Sequence, residues 1–386
     1  AGHPIDYAGY IKIAFRNMED FGTPQFDDPV APNYCTISTT GGCRILPRWD
    51  NKGGVRPYNK ALFLIIRDQY LDSGEQVRVV FGDTTGGSPG WRMPTFCINK
   101  FEFKTYVDPI ATYLFKELPQ SPCLKIVSGE PARAVCIAPS EVLIGQQFDY
   151  YLRLEDRWGN LSGMPKRYAH PGWGKSGTYT VSLTDKETGL SARSNPMDVV
   201  EEMPTLHKYW ADFHGQSSET IGTNTIEDYF RFGKDVGKLD IIGHQGNDFQ
   251  VTDEFWEKVN STAKAFYKPG KFVTFPGYEW SANTPLGGDR NVYFVAEGGR
   301  ITRSSCDLLP NGTSAYSDSL TADELFKNLK EQNNPKVFVF AHVGGRYADL
   351  RFHDEEIETA VEVHSAWGTF EWFLREALEH GYRVGI

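Results

Sequence analysis

Leu239-Asp-Ile-Ile-Gly-His-Gln-Gly-Asn-Asp248 is the stretch on which the reading of the second half of this chain turns. A short apolar run ends at glycine and delivers His244. That is the pattern of a buried strand, too short for a helix, followed by a side chain able to ligate a metal or carry a proton. Moving outward, the pattern recurs. Tyr209-Trp-Ala-Asp-Phe213 leads to His214, and Phe272-Val-Thr-Phe-Pro276 leads through Gly277-Tyr278 to Glu279. Val337-Phe-Val-Phe-Ala341 leads to His342, and Ala360-Val-Glu-Val363 leads to His364. A single histidine after a strand is ordinarily a hydrogen-bonded structural residue. Five groups in one topological position instead predict a shared site, because parallel strands joined through helices bring their C-terminal ends to one face.

Helical segments fall between these runs, as alternating β/α units require. The spacing predicts a helix over Thr225 to Val236, with Ile226, Tyr229, Phe230 and Val236 as its apolar positions. A second runs from Asp253 to Phe266 behind a Thr252 cap. Thr321 with Glu324 forms a capping box. A last helix spans Thr369 to His380 and stops at Gly381. The first half reads differently. Residues 1–205 carry apolar stretches such as Ala61 to Ile66, Gln76 to Phe81 and Phe148 to Leu154 between Gly, Pro and Asp turns. This is all-β, sandwich-like patterning of immunoglobulin-like type, with a possible division near residue 120. The expected domains are thus 1–205, β-rich, and 206–386, an α/β barrel.

Composition bounds the function. The chain has 386 residues, enough for more than one core, with 38 Gly and 22 Pro in keeping with turn-rich structure. A net charge of −10 without clustered Lys and Arg argues against a nucleic-acid partner. The longest apolar run, Ala61 to Ile66, is far short of the roughly 20 residues of a membrane span, so a soluble protein with a small-molecule substrate is expected. The six cysteines show no Cys-x-x-Cys spacing, which speaks against a structural zinc site.

Imidazole and carboxylate hold Zn, Mn or Fe while leaving positions open, and a divalent ion acidifies water to supply hydroxide near neutral pH. The expected ligands are His214, His244, Glu279, His342 and His364, with Glu279 bridging two ions. Arg290 and Arg346 stand in Gly-rich loops near strand ends, where a guanidinium can clamp a phosphate; pairing with Asp289 or Asp349 is the alternative. Trp256, Tyr278, Trp280 and Trp367 read more readily as core than as a substrate wall, and His353 and His380 as surface residues.

Taken together and in order, several stretches resemble the polymerase and histidinol phosphatase (PHP) superfamily, in its branch known as domain of unknown function 3604. They are Trp210-Ala-Asp-Phe-His-Gly-Gln-Ser217, Leu239 to Asp248, Phe275-Pro-Gly-Tyr-Glu-Trp-Ser281, Gly288-Asp-Arg-Asn-Val292, Ala341-His-Val-Gly-Gly345 and Val361-Glu-Val-His-Ser-Ala-Trp-Gly368. The resemblance covers about residues 206–386. It implies a distorted (β/α)7 TIM-like barrel, two or three divalent ions and metal-dependent hydrolysis, often of phosphoesters. By motif, His214 opens a His-x-His pair whose second position is Gln216, and Glu219 stands for the acidic residue that follows. Gln216 departs from the family pattern, since a neutral amide is a poorer zinc or iron ligand than imidazole. Asn247 departs similarly. Tyr382-Arg-Val-Gly-Ile386 reads as the start of a further strand, so a barrel incomplete at its C-terminus is expected. Hydrolysis of an amide, ester or lactone is the alternative chemistry, and a catalytically silent barrel beside β-sandwich binding modules is the rival from another class.

Overall fold

The computed structural model describes residues 1–332 and 336–386. Strands hold 35% of the chain and helical segments of all kinds 14%, among them four α-helices. The chain forms two compact units: residues 1–134 with 154–163 and 186–190, and residues 135–153 with 164–185 and 191–386.

The first unit is built of β-sheet. Tyr10–Phe15 lies between Lys60–Arg67 and Lys104–Asp108, antiparallel to both, and Arg44–Asp50 and Lys116–Glu117 extend the sheet to five strands. Ile13, Phe15, Leu62 and Leu64 of this sheet share a core with Ile98 and Phe101 of one smaller strand pair, and Ile37, Val79 and Phe81 of another pack against it. None of the six cysteines is in a disulfide.

In the second unit a small β region joins Glu141–Leu143 to Met197–Val200 in parallel, around Val142, Phe148, Met197 and Val199. Beyond residue 206 come a three-stranded and a five-stranded sheet, which carry the recurring His and Glu positions described above. Ala211–Gly215, Ile241–His244 and Val273–Phe275 run parallel. Past Gln245 and Pro276 the same two inner segments continue as Gly246–Asn247 and Gly277–Ser281, and Asp289–Phe294, Val337–Ala341 and Glu358–Val361 follow in order.

This is not a (β/α)7 barrel, TIM-like or otherwise, and no closed barrel is present among the described residues. Gly277–Ser281 pairs antiparallel with Asp289–Phe294, which in turn pairs antiparallel with Val337–Ala341. A barrel of β/α units needs parallel neighbours joined by crossover helices. Here the connection from Ser281 to Asp289 holds one short 3-10 turn, and no α-helix lies between Ala341 and Glu358. Asp289–Phe294 escaped sequence reading as a strand because Asp289, Arg290 and Asn291 look like loop residues, yet all are buried. At the far edge Gly385 bridges Ala360 in parallel.

The helices form largely where their caps predict. Thr252 Oγ1 accepts from the Phe255 N–H ahead of Asp253–Phe266, and Thr321 Oγ1 from Glu324 ahead of Ala322–Glu331. The last helix is Glu371–Glu379, and Gly381 takes the left-handed conformation, φ +79°, after it. The first departs from expectation: Ile226–Arg231 is α-helical, but Phe232–Gly237 widens to a π-helix containing two glycines.

Alternation along the strands divides the sheet into two faces. Val292, Phe294, Val339, Tyr278 and Trp280 pack with Ile226, Trp256, Leu325 and Leu329 of the helices. On the opposite face Phe213, Tyr293, Phe338 and Phe340 form a ring-on-ring cluster with centroids 5.0–6.1 Å apart. Glu279, Asp289 and Asn291 share the parity of Tyr293 across their paired strands, and Arg290 shares that of Val292.

Candidate metal centre

His214 is the penultimate residue of Ala211–Gly215, His342 follows Val337–Ala341 and Glu362 follows Glu358–Val361. Their ligand atoms lie within 4.8 Å of one another. Glu362 Oε2 is 2.9 Å from His214 Nδ1 and 3.1 Å from His342 Nδ1, and the imidazole centroids are 4.4 Å apart. Asn291 Nδ2 donates to the same Glu362 oxygen at 2.6 Å. Burial would raise the Glu362 carboxyl, but the hydrogen bonds from the two histidines outweigh it and hold the group down at about 2. Burial likewise works against protonation of His214, yet Glu362 and Glu279 together raise it above the ordinary range. For His342, burial and the His214 charge prevail over Glu362, and its pKa is lowered.

Glu279 lies on the other side of His214, with Oε2 3.9 Å from Nε2. It is buried, and burial together with the neighbouring Asp289 raises its pKa. Asp289 is raised too, by burial, although Arg346 Nε donates to its Oδ1 at 2.9 Å. A chain of polar contacts holds Glu279 from behind: Thr220 Oγ1 donates to Gln216 Oε1, Gln216 Nε2 to Asn247 Oδ1, Asn247 Nδ2 to Ser281 Oγ, and Ser281 Oγ to Glu279 Oε1, over 3.0–3.3 Å each. Gln216 therefore orients through its amide and does not stand among the converging ligand atoms.

The structure brings together His214, His342 and, alongside them, Glu279 and Arg346; it does not bring the other expected groups there. His244 is fully buried, accepts the Gly246 N–H at Nδ1 (3.2 Å) and faces Ser217 Oγ at Nε2 (3.0 Å). Burial lowers its pKa to about 4. Glu219 accepts from Lys258 Nζ at 2.6 Å. His364 is exposed, with Nδ1 2.9 Å from Thr369 Oγ1. Arg290 is on the helix face and fully buried: Nε donates to Glu358 Oε1 (2.8 Å), and its terminal nitrogens to the carbonyls of Gly287, Asp349 and Phe352. With four of its five N–H donors committed and the side chain fully buried, Arg290 is not placed to clamp a phosphate. His353 is not a solvated residue, since Nδ1 lies 2.6 Å from Glu358 Oε2 in the same buried group. Glu362 and Asn291 were not singled out from sequence, and Asp289 was read only as an ion-pair partner for Arg290 or Arg346, the pairing it makes with Arg346. Glu362 was legible as the carboxylate in Val361-Glu-Val-His364, one residue past the strand, where the more familiar ligand type drew attention to His364.

The donor set fits a divalent ion. Two imidazoles and a carboxylate are a set that catalytic zinc sites use while keeping a position open. Asn291 Oδ1 is buried beside them with no hydrogen-bond partner among the described residues. Gly344 leaves room at the other imidazole edge: a Cβ there would stand 2.6 Å from His342 Nε2 and 3.0 Å from Asp289 Oδ2.

The sequence family described as protein of unknown function (DUF3604) matches residues 187–362, a segment that contains all of these groups. The match carries no link to the PHP superfamily and no activity. Uncharacterized proteins of Chlamydia trachomatis serovar D, Chlamydia muridarum and Chlamydia pneumoniae are 24%, 23% and 22% identical over 336 residues, covering 78% of this chain and 52% of each relative. The chain thus spans about half the length of the curated relatives it matches. No solved structure matches. No helix among the described residues is long and apolar enough to cross a membrane.

Proposed function

We propose that this chain is a metal-dependent hydrolase of a small anionic ester, with a phosphoester as the favoured substrate. The observation that carries the reading is the convergence of His214, His342 and Glu362 on a common point. A divalent ion (Zn, Mn or Fe) held there supplies Lewis acidity. The protein's own groups divide the remaining work. Glu279, with its pKa raised by burial and Asp289, holds a proton at the carboxyl facing His214, as a general acid requires. Arg346 is tied to Asp289 through Nε while its side chain stays 35% exposed, so its fork meets an oxyanion at the rim.

The test is metal analysis of the purified chain, followed by assays of aryl phosphates and aryl carboxylates with added Mn or Zn. Phosphate release that depends on metal and is lost in Glu362→Gln supports the reading. Turnover of carboxylic esters alone moves the chemistry to carbon esters, and a chain that takes up no divalent ion overturns the proposal.

A further inference from the structure

Trp367 stands in the turn of a hairpin formed by His364–Ser365 and Gly368–Thr369, with 70% of its surface exposed. By contrast Trp256, Tyr278 and Trp280 are fully buried. The hairpin is fixed. Ser365 Oγ donates to the Val343 carbonyl at 2.8 Å and accepts the Trp367 N–H at 3.1 Å, and the Phe370 N–H donates to the Val363 carbonyl at 2.6 Å. It holds the indole over Gly345, where a Cβ would lie 3.6 Å from Trp367 Cζ2. Gly345 itself sits between Gly344, which adjoins His342 Nε2, and Arg346, which is bound to Asp289. Backbone dimensions then place the indole within about 13 Å of His342 Nε2. Tyr347 and Trp372, 51% and 39% exposed, meet edge to face at 5.9 Å and continue the aromatic surface.

We propose that Trp367 is a stacking platform for a planar ring carried by the substrate, whose anionic end is held by Arg346 and the metal centre. This rests on the hydrolase reading above and narrows its substrate to ring-bearing anionic esters. A rigid indole with one face in water offers a large stacking surface at little entropic cost, and the adjacent guanidinium reads the charge. As an upper bound, that separation of about 13 Å admits a ring bonded directly to its oxyanion group or joined to it through a short linker.

The test measures binding of phenylphosphonate and methylphosphonate to the full chain with Zn present, by calorimetry, in wild type, Trp367→Ala and Trp367→Phe. The wild type is expected to prefer the phenyl compound about tenfold, Trp367→Ala to lose that preference, and Trp367→Phe to recover most of it. A preference retained in Trp367→Ala, or no binding of either compound, overturns the platform. Hydrolysis of phenyl phosphate is read separately. A phenyl preference without hydrolysis overturns the hydrolase reading alone; hydrolysis without a phenyl preference overturns the platform alone.

Discussion

Glu362 Oε2 lies 2.9 Å from His214 Nδ1, so a residue just past Glu358–Val361, in one sheet, touches one in Ala211–Gly215, in another, 148 positions away. The two strands belong to different sheets, and an ion held at this contact would couple its binding to folding. Glu362→Gln keeps the shape and removes the charge that both imidazoles share. It is expected to weaken Zn or Mn binding at least tenfold, read by equilibrium dialysis. Chelation should lower the melting temperature of the wild type and leave that of the variant nearly unchanged.

Gly344 and Gly345 make a paired test of space. A Cβ on Gly344 collides with His342 Nε2 and Asp289 Oδ2, whereas one on Gly345 meets only the Trp367 ring at ordinary contact distance. Gly344→Ala should therefore reduce metal affinity by an order of magnitude, while Gly345→Ala should bind metal as the wild type does. Equal loss in both variants would show that the loop, not the space beside His342, is the sensitive element.

Much of the site was legible because strand ends are written plainly: Val337-Phe-Val-Phe-Ala341 and its histidine need no tertiary information to be read. What could not be read was the direction of pairing. A buried run such as Phe272 to Pro276 looks the same in a parallel or an antiparallel sheet, and Asp289–Phe294 hides three buried polar residues behind a loop-like composition. His244 shows the same limit in a single residue. It follows its strand as His214 does, but its ring is turned to Ser217 and the Gly246 amide, which sequence spacing does not report.

His244→Ala follows from that geometry. Removing a fully buried, doubly bonded ring should cost about 2–4 kcal/mol of stability, through the cavity and the partners left behind. The folded variant should still bind metal. Denaturant unfolding and metal titration on the same sample separate the two effects, and metal binding lost without loss of stability would return His244 to the ligand set.

Arg290 and Glu358 form an ion pair with both side chains fully buried. Removing one partner of such a pair leaves an uncompensated charge, at about 3–5 kcal/mol. Arg290→Ala is expected to unfold at correspondingly lower urea concentration. At low temperature, where it remains folded, it should retain its metal stoichiometry.

Glu19, in the first unit, gives a pH dependence. Its Oε2 accepts the Arg16 N–H at 3.1 Å, its Oε1 has no hydrogen-bond partner among the described residues, and burial raises its pKa from 4.5 to about 7. The native state thus holds a proton that the unfolded chain releases. The associated stability is complete below the unfolded value and is lost as pH rises through the folded one. Wild type should lose on the order of 3 kcal/mol relative to Glu19→Gln between pH ~4.5 and pH ~8, read from urea midpoints.

The alternation of Asp289, Arg290 and Asn291 makes the chain unforgiving of changes in length at one place. These three residues face site, helices and site in turn, each fixed by its partner in Gly277–Ser281. One residue inserted between Gly288 and Asp289, if absorbed by sliding the strand, would turn Arg290 toward Glu279 and send Asp289 and Asn291 among the helices. A change of length in the turn from Ser281 to Asp289 is therefore tolerated only where the turn itself absorbs it and the pairing of Glu279 with Asn291 is kept.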